Sequence, residues 1–100
     1  MYSVYRTDEF DRWLSRLRDA KAKARIIARI RSAELGNLGD CKSVGGSISE
    51  MRVDTGPGYR IYFTKRGRYL ILLLNGGDKS SQARNIVRAS ELAKQIKGID

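Results

Sequence analysis

The sequence predicts a single α+β domain over residues 1–100, in which two N-terminal helices pack on a mostly antiparallel four-stranded sheet and a C-terminal helix follows. Apolar residues recur at helical spacing in the first third of the chain and again after Ser81. Residues 48–75 instead alternate between apolar and polar side chains and are interrupted by short turns. We therefore expect the helices to cover one face of the sheet.

The first third of the chain is predicted to hold one short strand and two helices. Residues 2–6 alternate and favour a strand, and Thr7 or Asp8 can cap the helix that follows. A second helix is predicted over residues 21–35, and Gly36 is a natural C-terminal stop. The apolar stripe of the first helix consists of Phe10, Trp13, Leu14 and Leu17.

Three consecutive strands are predicted over residues 48–53, 59–65 and 69–75. Short turns join them, which makes an antiparallel meander. Residues 41–44 are only a short segment between turn residues.

The last strand is predicted to end at Gly76 and Gly77, and Ser80 or Ser81 can cap a final helix. The apolar stripe of this helix is Ile86, Ala89, Ala93 and Ile96.

The charge balance favours an anionic partner. The chain has 20 basic and 11 acidic residues, a formal net charge of +9, and the excess is spread over its whole length. Such a field attracts nucleic acid, the ribosome or an acidic protein. A basic surface without a specific ligand is the alternative interpretation.

Several classes of enzyme and location are excluded or disfavoured by composition. The chain has no histidine and one cysteine, so it lacks a zinc ligand set, a serine–histidine triad and a cysteine–histidine pair, and we expect neither a metal nor a cofactor. Cys41 is expected to serve packing in a reducing cytoplasm. The longest apolar run, residues 70–74, is too short to span a membrane.

Period-two alternation predicts a polar, cationic face on the side of the sheet away from the helices. The residues expected to point to the helices are Met51, Val53, Ile61 and Phe63. The residues expected on the uncovered face are Glu50, Arg52, Arg60 and Tyr62.

A rigid turn precedes Arg60. In Gly56-Pro57-Gly58 the proline pre-sets one dihedral angle and the glycines accept angles that other residues avoid, so the turn controls where Arg60 points. An ordinary hairpin turn is the alternative. Lys79 lies just before a predicted helix start, where backbone donors and a lysine can meet an anion, although a simple helix cap explains that segment equally well.

The spaced segments GNLGD, GPGYRIYF and GGDKS, within residues 36–82, closely resemble the HigB-like addiction module killer branch of the RelE/ParE toxin superfamily. The helical parts fit the same family, so the resemblance covers essentially the whole chain. It implies a RelE/ParE-like fold and a type II toxin that inhibits translation by cutting messenger RNA in the ribosomal A site without a metal.

The resemblance also implies partners. They are a separately encoded, helix-turn-helix, HigA-like antitoxin, the ribosome and its mRNA. Operator DNA would be contacted only through the antitoxin complex, and no membrane is implied.

Carried onto this sequence, the resemblance implies that Arg60, Arg52 and Lys79 stabilise the scissile phosphate. Lys42 and Lys65 are expected to be outer phosphate contacts of the RNA. Tyr62 is expected to contact RNA as well, and a buried or stacking tyrosine is the alternative. The chain has no tyrosine beyond Tyr69, where RelE has a catalytic one, and Glu50 stands where RelE has a lysine.

Two other functions remain open on the sequence. One is a non-enzymatic, ParE-like inhibitor that binds DNA gyrase, because one scaffold serves both activities. The other is an inactive toxin that acts only in a repressor complex with its antitoxin.

Overall fold

The computed structural model of the protein describes residues 1–96. Its elements follow in the order β1 (Ser3–Arg6), α1 (Asp8–Arg16), α2 (Ala20–Glu34), β2 (Cys41–Gly45), β3 (Ile48–Val53), β4 (Tyr59–Arg66), β5 (Leu70–Asp78) and α3 (Gln82–Gln95). A 3₁₀ turn, Lys79–Ser81, joins β5 to α3. The predicted α+β class is confirmed. No helix within these residues is long and apolar enough to cross a membrane.

The described residues form one five-stranded sheet in the order β1-β5-β4-β3-β2. Strand β1 runs parallel to β5, and the other neighbours are antiparallel. The predicted count of four strands is wrong, because residues 41–45 pair with β3 as a fifth strand. Gly45 and Gly46 have φ angles of 111° and 59°, which permits the tight reversal between β2 and β3.

Strand β5 is longer than predicted. Gly76 and Gly77 do not end it but pair with Ile61 and Arg60 of β4. A Cβ on Gly76 would lie 2.5 Å from ring carbons of Trp13, and one on Gly77 would collide with the side chain of Asn85. Glycine is present here because α1 and α3 approach the strand closely, from opposite faces.

Helices cover both faces of the sheet, so the expectation that they lie on one face is wrong. Helices α1 and α2 bury Phe10, Leu14, Ile26, Ile30 and Ala33 against Met51, Val53, Ile61, Phe63, Ile71 and Leu73. Helix α3 buries Ala89, Leu92 and Ala93 against Ile48, Tyr62, Leu72 and Leu74 on the other face. The physical reason is the apolar run in β5, whose successive residues point to alternate faces and therefore need cover on both.

Side-chain caps fix the starts of the helical segments. The predicted cap Thr7 accepts a hydrogen bond from the backbone of α1 and donates one to the carbonyl of Leu74, which ties the helix to the sheet. At the other end of the chain, Asp78 caps the 3₁₀ turn by accepting from the backbone N–H groups of Ser80 and Ser81. Ser81 is the N-cap residue of α3, as predicted, but its side chain makes no capping hydrogen bond.

Candidate functional site

The predicted cations Arg52 and Arg60 lie opposite each other on neighbouring strands. In the register of β3 with β4, Arg52 pairs with Arg60, and Glu50 pairs with Tyr62. Cross-strand partners share a face, and alternation places all four on the side of the sheet that carries α3. The predicted grouping of these residues is confirmed.

The turn between β3 and β4 brings Arg60 next to Lys79. The N–H of Gly58 donates to the carbonyl of Thr55 at 3.0 Å, and Gly56 and Gly58 have φ angles of 54° and 82°. These angles require glycine. A Cβ on Gly58 would lie 3.6 Å from Arg60 Nη1 and 3.8 Å from Lys79 Cβ. Arg60 and Lys79 therefore both lie next to Gly58.

Arg60 forms a buried charge pair. Its Nε lies 3.7 Å from Oε1 of Glu50, and the exposed fractions of the two side chains are 11% and 0%. Gln82, at the start of α3, donates from Nε2 to the other carboxylate oxygen of Glu50 at 2.6 Å. Arg60 Nη1 also donates to the carbonyl of Tyr59 at 3.3 Å. The charge pair thus joins β3, β4 and α3.

The face that carries Arg60 is not uncovered, contrary to the prediction. Helix α3 packs on it and buries Glu50 and Tyr62 completely. Arg60 stays at the boundary of this cover, with its guanidinium mostly buried and its neighbour Lys79 exposed. A charge buried in this way is held in one place, because leaving its partner would be costly.

Arg52 has its own acidic partner. Its Nη2 lies 2.9 Å from Oδ1 of Asp40, and its Nε donates to the same oxygen at 3.3 Å. This hydrogen bond and the charge of Asp40 raise the pKa of Arg52. Arg29 donates to the backbone carbonyls of Arg52, Leu38 and Asp40, which fixes the loop that carries Asp40. Arg52 is therefore held toward the loop that precedes β2, where it lines a cavity beside α2, and it remains partly exposed.

Lys79 and Lys42 are the exposed cations of this surface. Lys42 pairs with Glu50 in the register of β2 with β3, so it belongs to the same face as Arg52 and Arg60. Neither lysine makes a hydrogen bond or ion pair with another residue among those that the structure describes. Both ammonium groups are free to meet an anion.

Two of the predicted RNA contacts lie elsewhere. Tyr62 is fully buried beneath α3, so it cannot stack on a base in this conformation. Burial and the nearby Glu50 carboxylate raise the pKa of Tyr62 to about 12, which keeps its phenol protonated at neutral pH. Lys65 is on the opposite face, where it pairs with Ile71 and lies 5.6 Å above the ring of Tyr2.

Sequence reasoning missed three residues that shape the site. Gln82 holds Glu50, Asp40 holds Arg52, and Asn75 pairs with Tyr62 in the register of β4 with β5. Asp40 belongs to the GNLGD segment, and Asn75 is a polar residue at the end of an apolar run, so both gave a signal. Gln82 gave none, because its contact depends on the placement of α3.

Four polar side-chain atoms in this region are buried without a hydrogen-bond partner within the described part of the chain. They are Glu50 Oε1, Arg60 Nε, Tyr62 Oη and Asn75 Oδ1. Unpaired buried polar groups cost free energy and are rare in folded proteins.

The side chains present suit the binding of an anion. Among residues 1–96, no three histidine, cysteine, aspartate or glutamate side chains come close enough to hold a metal ion. Guanidinium and ammonium groups bind phosphate through charge and through their hydrogen-bond donors.

Comparison with known proteins identifies a relative of this chain. No family model matches the chain. A protein of Haemophilus influenzae that carries the name "Uncharacterized protein" is 48% identical over 87 residues, which cover 87% of this chain and 88% of the relative. The chain belongs to the same family as this protein.

The buried pair generates a prediction about stability. Arg60→Gln leaves the Glu50 carboxylate buried without a counter-charge, and Glu50→Gln does the same to the guanidinium. Each single change should lower the free energy of unfolding by about 3–5 kcal/mol. In the double variant, the total loss of unfolding free energy should be smaller than the sum of the two single losses by about 2 kcal/mol or more. Urea unfolding measures all three losses. Additive losses would show that the two charges do not interact.

Tyr62 generates a prediction about alkaline pH. The folded protein keeps the phenol proton that the unfolded chain loses near pH 10, so the contribution of Tyr62 to stability is full below about pH 10. It is lost as the pH rises toward about 12. Tyr62→Phe should weaken this fall in the free energy of unfolding, measured by urea titrations at several pH values. The control Tyr69→Phe removes an exposed hydroxyl, and an equal effect of both variants would contradict the interpretation.

Proposed function

We propose that the protein is the toxin of a type II toxin-antitoxin system and that it cuts messenger RNA on the ribosome. The observation that carries the proposal is the position of Arg60, which has one cation as its cross-strand neighbour and another beside the turn that precedes it. Arg52 lies opposite Arg60, and Lys79 adjoins the same glycine as Arg60. Three cations from separate elements on one surface are suited to hold a phosphodiester and to stabilise its transition state.

The proposed reaction is attack of a ribose 2′-oxygen on the adjacent phosphorus. The new oxygen–phosphorus bond forms as the bond to the 5′-oxygen of the next nucleotide breaks, which leaves a 2′,3′-cyclic phosphate and a 5′-hydroxyl. Negative charge grows on the non-bridging oxygens and on the leaving oxygen, where Arg60 and Lys79 stabilise it.

The two proton transfers are assigned to the ribosome–mRNA complex. Groups of that complex accept the proton of the 2′-hydroxyl and protonate the leaving oxygen. The reason is that Tyr62 and Glu50, which share a face of the sheet with Arg60, are fully buried. The ribosome also holds the 2′-hydroxyl in line, so free RNA should be a poor substrate.

The buried pair gives Arg60 its role in this proposal. A donor that stabilises a transition state is most effective when it is already in place and needs no reorganisation. Glu50, which is itself held by Gln82, pairs with the guanidinium, and the turn at Gly58 has no side chain beside it. Lys42 serves as an outer phosphate contact, whereas Tyr62 and Lys65 have no part in the site.

The partners belong to the proposal as well. We assign to this toxin a helix-turn-helix, HigA-like antitoxin, contact with operator DNA only through that complex, and action in the cytoplasm. The net charge of +9 supports association with RNA and the ribosome, because basic surfaces release counterions on binding nucleic acid.

Induced expression without an antitoxin tests the proposed function. We expect growth arrest and new RNA 5′ ends inside translated reading frames, while plasmid supercoiling stays unchanged. Unchanged RNA ends with altered plasmid topology would assign the protein to the gyrase inhibitors. Neither effect, from a protein that is folded and expressed, would favour an inactive toxin that serves only in a repressor complex.

Variants of Arg60 and Lys79 test whether cleavage depends on this site or only on the overall positive charge of the protein. Arg60→Lys keeps a positive charge beside Glu50 but loses the planar two-point contact with phosphate, and Lys79→Ala removes an exposed ammonium. Each should lower the yield of cut RNA by roughly tenfold to a hundredfold. The control Lys94→Ala, on the exposed surface of α3, should cut as the wild type does. Full activity of both site variants, folded by circular dichroism, would refute the assigned roles.

A further inference from the structure

A second cleft lies where β1 stops short of the end of β5. Strand β1 pairs with β5 only as far as Leu73, so residues 75–78 of β5 have no strand on that side. Helices α1 and α3 flank the gap from opposite faces and leave a cleft of about 390 Å³. We call it the Trp13 cleft, and its principal walls are Arg12, Trp13, Arg16, Asn75, Gly76 and Asn85.

The floor of the Trp13 cleft is a fixed aromatic ring. Trp13 lies so close to Gly76 that a Cβ there would touch its ring carbons. The indole also contacts Phe10 and Tyr59, with ring centroids 5.7 Å and 6.3 Å away. It is only partly buried, and it lines the cleft. A rigid, partly exposed indole is a platform on which a planar group can stack at little entropic cost.

The rim of the cleft is cationic. Arg12 and Arg16 are exposed, lie one helical turn apart on α1, and make no hydrogen bond or ion pair with another residue in the described range 1–96. Glu9 also lines the cleft, but its carboxylate accepts three hydrogen bonds from Arg88, at 2.7 to 3.0 Å. The two arginines therefore present uncompensated positive charge to whatever enters.

The inner wall carries an unmatched acceptor. Asn75 is 3% exposed, and its Nδ2 donates to the backbone carbonyl of Asn85 at 3.1 Å. Its Oδ1 is buried and accepts no hydrogen bond from the described residues. Because Nδ2 is already engaged, the orientation of the amide leaves the oxygen as an acceptor that lacks a donor. Water does not reach that oxygen in this structure, so a ligand N–H group pairs with it, and recovers its cost, only after the side chains around it shift slightly.

We propose that the Trp13 cleft binds one unpaired nucleotide, with its base against Trp13, an amino group of the base directed to Asn75, and its phosphate held by Arg12 and Arg16. A flat ring, a hydrogen-bond donor and an anionic group occur together in a nucleotide. An acidic peptide matches the arginines and can offer a backbone N–H group to Asn75, but its carboxylate side chains provide no flat ring to stack on Trp13. The volume of the cleft is within the range of small-ligand sites.

The proposal rests on the proposed function for its choice of RNA as the source of the nucleotide. The Trp13 cleft adjoins the cationic site, since Gly77 pairs with Arg60 and lies against the side chain of Asn85. A single strand that crosses Arg60 and Lys79 therefore has a place for a neighbouring base. The cleft would then determine which bases next to the cut are preferred.

The test uses Trp13 as its own reporter, because it is the only tryptophan in the chain. Cytidine 5′-monophosphate, titrated into the purified protein, should change the tryptophan emission in a saturable manner. Uridine 5′-monophosphate, which has an acceptor where cytidine has an amino group, should bind about fivefold more weakly. Cytidine and inorganic phosphate, each alone, should bind more weakly than the nucleotide.

Two charge variants and one control complete the design. Arg12→Gln and Arg16→Gln should each weaken binding of the nucleotide by about tenfold, as expected for loss of a hydrogen bond to a charged group. Arg31→Gln removes the same charge from an exposed position of α2 outside the cleft and should leave affinity unchanged. An equal loss in all three variants would mean that binding reflects net charge, and would overturn the proposal.

Further outcomes also decide against it. Absence of a saturable change with any nucleotide overturns the proposal, as does phosphate binding as tightly as the nucleotide. Tighter binding of a glutamate-rich peptide, lost in Arg12→Gln, would make the cleft a docking site for an acidic protein. If the protein binds the nucleotide but cuts no RNA in cells, the cleft proposal is supported and the proposed function is refuted. If it cuts RNA but does not bind the nucleotide, only the cleft proposal is refuted.

Discussion

Burial of strand β5 on both faces is the constraint from which the rest of the arrangement follows. Ile71 and Leu73 join the core beneath α1 and α2, and Leu72 and Leu74 join the core beneath α3. A strand with apolar side chains on both faces needs cover on both, and helices on one face of the sheet cannot provide it. The sheet is therefore enclosed between helices. The close approach of α1 and α3 to its end is possible because Gly76 and Gly77 carry no side chains.

Helix α3 covers charged side chains of the sheet, which then take part in buried interactions. Glu50 is on the face that α3 covers, where its carboxylate is removed from water and is matched by Arg60 and Gln82. Such a pair contributes little net stability but makes the loss of either partner expensive. Its consequence for function is orientation, because Arg60 has one favourable position beside Lys79. Arg52 is held more loosely, by an exposed carboxylate at the sheet edge.

Much of this fold could be predicted from local patterns, and what could not was decided by packing. The predicted strand over residues 48–53 coincides with β3, because alternation and flanking turns both mark it. The grouping of Arg52 with Arg60 also followed from alternation. The face chosen by α3 did not, since helical periodicity identifies the apolar side of a helix but not the face of the sheet that receives it. The sequence did contain a signal that both faces are covered, namely the uninterrupted apolar run at residues 70–74. A strand covered on one face only would alternate between apolar and polar residues.

The placement of two side chains differs from the prediction for the same reason. Tyr62 shares a face with Arg60, as predicted, yet that part of the face is enclosed. Lys65 is an odd number of residues after Arg60 in β4, so alternation places its side chain on the opposite face of the sheet, as the register shows. Glu50 is fully buried and accepts a hydrogen bond from Gln82, which is 32 positions away in sequence. Contacts of this range are set by tertiary packing rather than by local pattern.

The chemistry of the RNA ends tests the central claim most directly. Purified protein is added to ribosomes stalled on a defined messenger RNA, and the ends of the fragments are identified. Attack by the 2′-hydroxyl predicts 5′-hydroxyl and 2′,3′-cyclic phosphate ends, formed only when ribosomes are present. Fragments with 5′-phosphate ends, or an intact message on ribosomes that bind the protein, would contradict the account of this site.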